Sequence, residues 1–286
     1  MNGTVKTWRF VIDVARCEDC NNCLLACKDE HVGNDWPGVT GPQPRRGARW
    51  IDVVRKERGQ FPLVDIAYRP TPCQHCQEAP CVAASGGAIR RRDDGIVLVD
   101  PVAAKGRRDL VESCPYGALE WNEELSAPQK CTLCAHLLDQ GWKEPRCVQA
   151  CPTGALRAVR LDEAEAERLR AAEGLLPLHP EHGTKPAVLY RNLARFEACF
   201  VAGSVAGPVA TSPSGVVECI AGATVTLSRA GQTVATATTD AFGDFKIDGL
   251  SEGSGPYTLV VATPDGRSAR LEVHLPASLS LGTIAI

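Results

Sequence analysis

Twelve of the fourteen cysteines in this chain lie between Cys17 and Cys151, and only Cys199 and Cys219 lie beyond. They fall into four groups. Cys17, Cys20, Cys23 and Cys27 are spaced C-x2-C-x2-C-x3-C; Cys73, Cys76 and Cys81 are spaced C-x2-C-x4-C; Cys114 stands alone before Pro115; Cys131, Cys134, Cys147 and Cys151 are spaced C-x2-C-x12-C-x3-C before Pro152. Around them the sequence runs in short strands and turns broken by Pro and Gly, with RFVIDV (9 to 14), RWIDVVRKE (49 to 57) and DGIVLVD (94 to 100) as the clearest strands. A chain with so few apolar runs has a thin core and needs staples. Disulfides, zinc and iron–sulfur clusters are the chemical options.

The CxxC triplets are too tightly clustered for comfortable disulfide geometry, and the start MNGTVKTWRFVIDVARC has no apolar run of signal-peptide length, so an oxidising compartment is not expected. Structural zinc needs two CxxC-type pairs per site. Cys73/Cys76 and Cys131/Cys134 could supply them, with His75 or His136 nearby, but zinc leaves the Cys17 to Cys27 spacing unexplained. That spacing is the one of bacterial ferredoxins, where three close thiolates hold three corners of a 4Fe–4S cube and the fourth, more distant cysteine serves the other cluster of a pair. Applied to the first and last groups, the rule puts Cys17, Cys20, Cys23 and Cys151 on one cluster and Cys27, Cys131, Cys134 and Cys147 on a second.

The middle cysteines test the rule. Counting back from Cys114-Pro115 by the same spacing reaches Ala104, Arg107 and Leu110, and four residues past Cys81 stands Ser85. Those four positions together would have been the ligands of one cluster, whereas Cys73, Cys76, Cys81 and Cys114 form a complete set for another. Loss of one whole site leaves no orphan ligand. The sequence therefore predicts three 4Fe–4S clusters. His75 and His136 read as structural or supporting groups rather than ligands. Arg16, Lys28, Lys130 and Arg146 sit beside ligands, where a cation either raises a reduction potential or is simply solvated.

Beyond residue 160 the character changes. LDEAEAERLRAAEG (161 to 174) reads as an exposed helix ending at Gly. From about Val201, ATVTLS (223 to 228), QTVATATT (232 to 239), GDFKI (243 to 247), PYTLVVAT (256 to 263) and SARLEVHL (268 to 275) recur at the spacing of an antiparallel sandwich. The expected fold is α+β: a ferredoxin-like domain at 1 to 160 with loop-rich cluster-binding segments, a helical connector at 161 to 200 that contacts a partner, and an all-β immunoglobulin-like sandwich at 201 to 286. Cys199 and Cys219 have no CxxC neighbour and read as ordinary thiols. No window approaches the ~20 apolar residues of a spanning helix, and a net charge of -3 with only short Arg runs gives no footprint for nucleic acid. No Ser-His-Asp set, P-loop or dinucleotide fingerprint appears, so an active site is not expected in this chain.

The four-group arrangement over residues 9 to 160 resembles the iron–sulfur subunits of the dimethyl sulfoxide reductase superfamily. More narrowly, VIDVARCEDCNNCLLACKDEHVGNDWPG, YRPTPCQHCQEAPCVA, DGIVLVDP, SCPYGALEWNEE, QKCTLCAHLLD and GTKPAVLYRNLARFE are similar to the small subunits of pyrogallol–phloroglucinol transhydroxylases and resorcinol hydroxylases. The β-region resembles carboxypeptidase-regulatory or collagen-adhesin modules. The resemblance implies an electron-transfer subunit paired with a large catalytic subunit that holds molybdenum or tungsten in a bis-pterin guanine dinucleotide cofactor. It implies a cytoplasmic phenol hydroxylase or transhydroxylase of anaerobic aromatic degradation that exchanges electrons with an external carrier. The alternatives are the equivalent subunit of a respiratory arsenate, polysulfide or similar reductase, and a scaffold subunit with structural clusters. The β-domain is expected to dock on or shield the partner.

Overall fold

The computed structural model describes residues 5–208 and 217–286. Residues 209 to 216 of the expected β-domain, and the first four of the N-terminal reading, lie outside them. Two compact units emerge. The first is the segment ending at Val54 with Tyr68–Leu193; the second is Arg55–Ala67 with Ala194–Ile286. The division is not linear along the chain: the segment expected as a connector, 161 to 200, parts at Leu193 because its strand Val188–Arg191 belongs to the first unit's central sheet.

That sheet is built around Thr7–Asp13. The strand pairs antiparallel with Leu156–Leu161 and parallel with Val188–Arg191, which in turn pairs with Leu176–Pro177. Phe10 faces Ala158 on one side and Val188 on the other, and the buried run Phe10, Val11, Ile12 is what a strand flanked on both edges needs. The helix expected at 161 to 174 spans Glu163–Glu173. It starts there because Asp162 caps it: the Glu165 N–H donates to Asp162 Oδ1 at 2.8 Å while the Asp162 N–H donates to Glu165 Oε2 at 2.9 Å. It stops at Gly174, whose φ of 60° is the left-handed cap position.

Small hairpins complete the unit, Ile89–Arg91 with Val97–Val99 and Glu120–Asn122 with Ala127–Gln129. The DGIVLVD strand is shorter than expected because its start is a turn: Asp94 Oδ1 accepts from the Ile96 N–H at 3.2 Å, Arg92 pairs with Asp94 at 2.9 Å, and Gly95 takes φ 89°.

In the second unit, Thr224–Arg229, Gln232–Thr238, Pro256–Ala262 and Ser268–His274 form one antiparallel sheet. Cys199–Pro208 centres another, between Asp244–Leu250 and a parallel Leu279–Ala285. Val225, Leu227, Leu259 and Val261 of the first sheet share one buried cluster with Val201, Val205, Phe245 and Ile284 of the second, which makes a sandwich. Strands Ile51–Gln60 and Leu63–Pro72 pair as a hairpin, and its end, Arg55–Ala67, counts with the second unit. There the Arg58 side chain, 1% exposed, bonds Asp65 at 3.2 Å and Asp248 at 2.5 Å. Its guanidinium also donates to the carbonyls of Arg195 and Ala198 and lies 5.1 Å from the Phe200 ring centre.

Candidate metal centres

Three CxxC loops of the first unit fold the same way. In Cys17-Glu18-Asp19-Cys20, Cys73-Gln74-His75-Cys76 and Cys131-Thr132-Leu133-Cys134, the third residue has a positive φ: 56° at Asp19, 45° at His75 and 52° at Leu133. None is glycine, so each conformation carries a cost of ~1–3 kcal/mol that its surroundings must repay. In each loop the third residue's N–H turns back onto the first cysteine's sulfur, at 3.4 Å for His75 on Cys73 and 3.4 Å for Leu133 on Cys131, with Asp19 doing the same for Cys17. A loop that aims amide donors at sulfur is built to hold a thiolate.

Short helices bring in the remaining cysteines. Cys23 and Cys27 lie one turn apart on Asn22–His31, which packs against Arg146–Gln149, carrier of Cys147. Cys81 sits on Pro80–Ala84, packed against the turn Arg108–Ser113 that ends at Cys114. Three neighbourhoods result. Burial pushes the Cys23 thiol up to about 12, and Cys17, Cys20 and Cys151 push it the same way. Burial likewise holds Cys27 and Cys147 well above the ordinary thiol range; Cys131 and Cys134 act on both. Burial pushes Cys76 up to about 12 and Cys81 up to about 11, with Cys73 and Cys114 adding to it. Two cavities correspond: one bordered by Cys27, Cys131, Cys134 and Cys147, the other by Cys73, Cys76, Cys81 and Cys114.

The neighbourhoods also adjoin in a definite order. Cys23 acts on Cys27 and Cys147, and Cys73 acts on Cys131 and borders its cavity. The Cys27/131/134/147 group is therefore central. Among the described residues, which include all fourteen cysteines, none is in a disulfide. Four or five sulfurs around each of these two cavities, buried thiols held above their ordinary range, and backbone donors aimed at sulfur fit a cationic iron–sulfur group better than a lone zinc ion, since three triplets with a remote fourth ligand are the donor set of cubes.

Ser85, Ala104, Arg107 and Leu110 gather at one place. Ala104 and Leu110 are fully buried in an apolar cluster with Cys81, Ala88, Ile89, Val97, Val99 and Leu119. The Ser85 hydroxyl bonds the Val82 carbonyl at 2.9 Å and accepts from the Ile89 N–H at 3.0 Å. Arg107 donates to the Ser85 carbonyl at 3.3 Å and pairs with Asp109 at 2.7 Å. At these four positions the chain offers apolar packing, a satisfied hydroxyl and an ion-paired guanidinium.

The histidines support rather than ligate. His75 Nδ1 accepts from the Val97 N–H at 3.0 Å, and burial keeps the ring neutral. His136 stacks on Trp36 and meets Glu30 at 2.9 Å. His31 escaped the sequence reading although it stands four residues after Cys27 on one helix face: its Nε2 is 4.0 Å from Cys134 Sγ, and burial lowers its pKa to about 3. Thr184, buried, also escaped it: its hydroxyl bonds the Cys76 sulfur and lies 2.6 Å from the Tyr116 hydroxyl. Cys199 is buried and donates to the Leu250 carbonyl at 3.3 Å, while Cys219 is exposed. On the surface, His179, Glu181 and His182 hold ligand-type atoms within 4.8 Å of one another; His179 and Glu181 satisfy each other at 2.9 Å.

Residues 64–161 match the family model of a 4Fe-4S dicluster domain, and residues 204–283 match a carboxypeptidase regulatory-like domain. The chain is 47% identical to the pyrogallol hydroxytransferase small subunit of Pelobacter acidigallici, over 92% of this chain and 93% of that one. It is 34% identical to a sulfite dehydrogenase subunit of Allochromatium vinosum, over 63% of this chain and 81% of the other. With a subunit of the anaerobic dimethyl sulfoxide reductase of Escherichia coli it shares 32% identity, over 64% of this chain and 87% of the other.

Proposed function

Because the chain belongs to the iron–sulfur subunits of the dimethyl sulfoxide reductase superfamily, we propose that it is the electron-transfer subunit of a phenol hydroxylase or transhydroxylase and holds three 4Fe–4S clusters. The observation that carries this reading is the reach of the pyrogallol hydroxytransferase match, which runs through both units over 92% of the chain, whereas the sulfite dehydrogenase and dimethyl sulfoxide reductase matches cover 63% and 64%.

Cys17, Cys20, Cys23 and Cys151 would hold one cluster, Cys27, Cys131, Cys134 and Cys147 the second, and Cys73, Cys76, Cys81 and Cys114 the third. When bound, a cube with four thiolates supplies one-electron chemistry and has no open position for a substrate. The chain's part is to place the sites in a row, with Cys23 beside Cys27 and Cys73 beside Cys131, and to donate N–H groups to the sulfurs. Substrate chemistry belongs to a large partner carrying molybdenum or tungsten on a bis-pterin guanine dinucleotide, and electrons are exchanged with an external carrier in the cytoplasm. Among the described residues no helix is long and apolar enough to cross a membrane.

Anaerobic iron, sulfide, molybdenum and tungsten analysis of the purified complex tests the proposal. About twelve iron atoms per chain, four for each of three cubes, after subtracting any in the partner, with one molybdenum or tungsten, is the expected result. Zinc, or oxidised thiols without metal, overturns it. Electron release on adding resorcinol or pyrogallol to the loaded complex then separates a hydroxylase from a redox-neutral transhydroxylase.

A further inference from the structure

Four cations flank cysteines, and the structure separates them. Arg16 is exposed, so water screens its charge. Lys28 is half-buried and donates to the Pro44 carbonyl at 2.7 Å. Arg146 pairs with Glu30 at 3.2 Å and Asp29 at 3.5 Å, which cancels its field. Lys130 differs from all three. It is 3% exposed, and among the described residues its ammonium has two partners, the carbonyls of Val97 and Cys131, and no carboxylate.

An ammonium taken out of water without a counter-ion costs several kcal/mol unless an anion lies near. The available anions are the sulfur sites. Lys130 borders the cavity of Cys73, Cys76, Cys81 and Cys114, and its ammonium bonds the backbone of Cys131, a member of the central group. Its field reaches Cys81, Cys114 and Cys131, whereas the groups acting on Cys17 and Cys23 are Asp19 and other cysteines. The position is rigid: the Val97 carbonyl accepts from Lys130 while the Val97 N–H donates to His75, whose own N–H bonds Cys73.

We propose that Lys130 is a shared potential-setting residue, a buried cation between the Cys27/131/134/147 and Cys73/76/81/114 centres that raises the reduction potentials of both and leaves the Cys17/20/23/151 centre untouched. This rests on the three-cluster reading above. A thiolate-ligated cube is an anion that gains a further negative charge on reduction, and a desolvated ammonium favours the more negative state. One residue placed between two such centres lets neighbouring sites take electrons with less mutual repulsion.

The test is an anaerobic redox titration of the complete complex, wild type against Lys130→Gln, Lys130→Met and Lys130→Arg, followed by electron paramagnetic resonance with iron counted in every sample. In Lys130→Gln and Lys130→Met, two of the three centres become harder to reduce by at least tenfold in the reduction equilibrium constant, or 59 mV for one electron, and the third does not move. Lys130→Arg, which keeps the charge, stays within threefold of wild type at all three. Unchanged potentials in a fully loaded neutral variant overturn the proposal, as does an equal fall at all three centres. If the neutral variants lose iron, a loaded Lys130→Arg with potentials shifted as far as theirs were predicted to be overturns it, and wild-type values support it. A wild-type complex without about twelve iron atoms per chain instead fails the three-cluster reading itself.

Discussion

Replacing Arg58 by Met loosens the second unit by about 3–5 kcal/mol, and the size follows from what the guanidinium leaves behind. The methionine stem fills the space of the aliphatic part, so packing against Phe200 is largely kept. Charge is not the main loss. Asp65 retains Arg195 at 3.0 Å and Lys246 at 2.8 Å, and Asp248 retains Lys246 at 3.4 Å. The carbonyls of Arg195 and Ala198 lose their guanidinium donor, at ~1–3 kcal/mol each, and the shortened ion-pair network adds the rest of the range for breaking a buried pair. Hydrogen exchange followed by mass spectrometry reads this locally. Amides in Asp244–Leu250 and Cys199–Pro208 are expected to exchange ~10²–10⁴ faster in Arg58→Met, since ~1.4 kcal/mol is a factor of ten. Peptides from Thr7–Asp13 and Leu156–Leu161, in the first unit, serve as the internal control. Less than a fivefold change in the second-unit peptides, or an equal change in the control, refutes the argument that Arg58 anchors the hairpin end to the β-unit.

Three further outcomes are expected. Asp65 has its pKa lowered, chiefly by the hydrogen bond and charge of Lys246 against the opposing effect of burial, with Arg195 and Arg58 assisting. A depressed folded pKa means stability present above the ordinary carboxylate range and lost as pH falls through the lowered value, so acid melts monitored by exchange at 244–250 must lose less in Asp65→Asn than in wild type. Leu110→Ala, at a site with 0% exposure and apolar packing, is expected to cost ~2–5 kcal/mol in chemical denaturation without lowering iron content; a neutral effect refutes the packed-site reading. Burial lowers His31 to a pKa of about 3, so its ring resonances are expected to stay in the neutral position from pH 8 down to about 4; titration near 6.5 shows the imidazole to be wet.

Much of this was legible in the residues. Cysteine spacing with the crossed ferredoxin rule proposes three groups of four sulfurs, because three ligands in one tight loop leave little freedom for the rest. The alternation in 223 to 228 and 256 to 263 marked sandwich strands that run Thr224–Arg229 and Pro256–Ala262. What escaped was decided at long range. Cys199–Pro208 is central to its sheet through a parallel partner some eighty residues later, and nothing local in CFVAGSVAGP announces it. The hairpin end at 55–67 joins the β-unit through buried Arg58 and the ion pairs of Asp65 with Arg195 and Lys246, and an Arg and an Asp among many carry no such signal. The order of the sulfur sites needed Cys73 to be seen beside Cys131, a contact across fifty-eight positions. Among the cations flanking cysteines, burial and the carboxylates Asp29 and Glu30 beside Arg146 tell it from Lys130, and both are long-range facts.

The pairing of Thr7–Asp13 with strands at 156–161 and 188–191 has a consequence for how the protein is made. During synthesis the strand waits about 150 residues for its first neighbour and about 180 for its second. Closing so long a loop adds little entropy beyond that of a shorter one, but it fixes the timing. Throughout that interval Cys17, Cys20 and Cys23 stand on an open chain, and the Cys73–Cys76 loop waits as well, since Gln77 and Glu78 donate to the carbonyls of Lys185 and Thr184 and the Gln74 carbonyl accepts from the Ala187 N–H. The early and the middle cysteines alike reach their final surroundings only once residues 184–191 are in place.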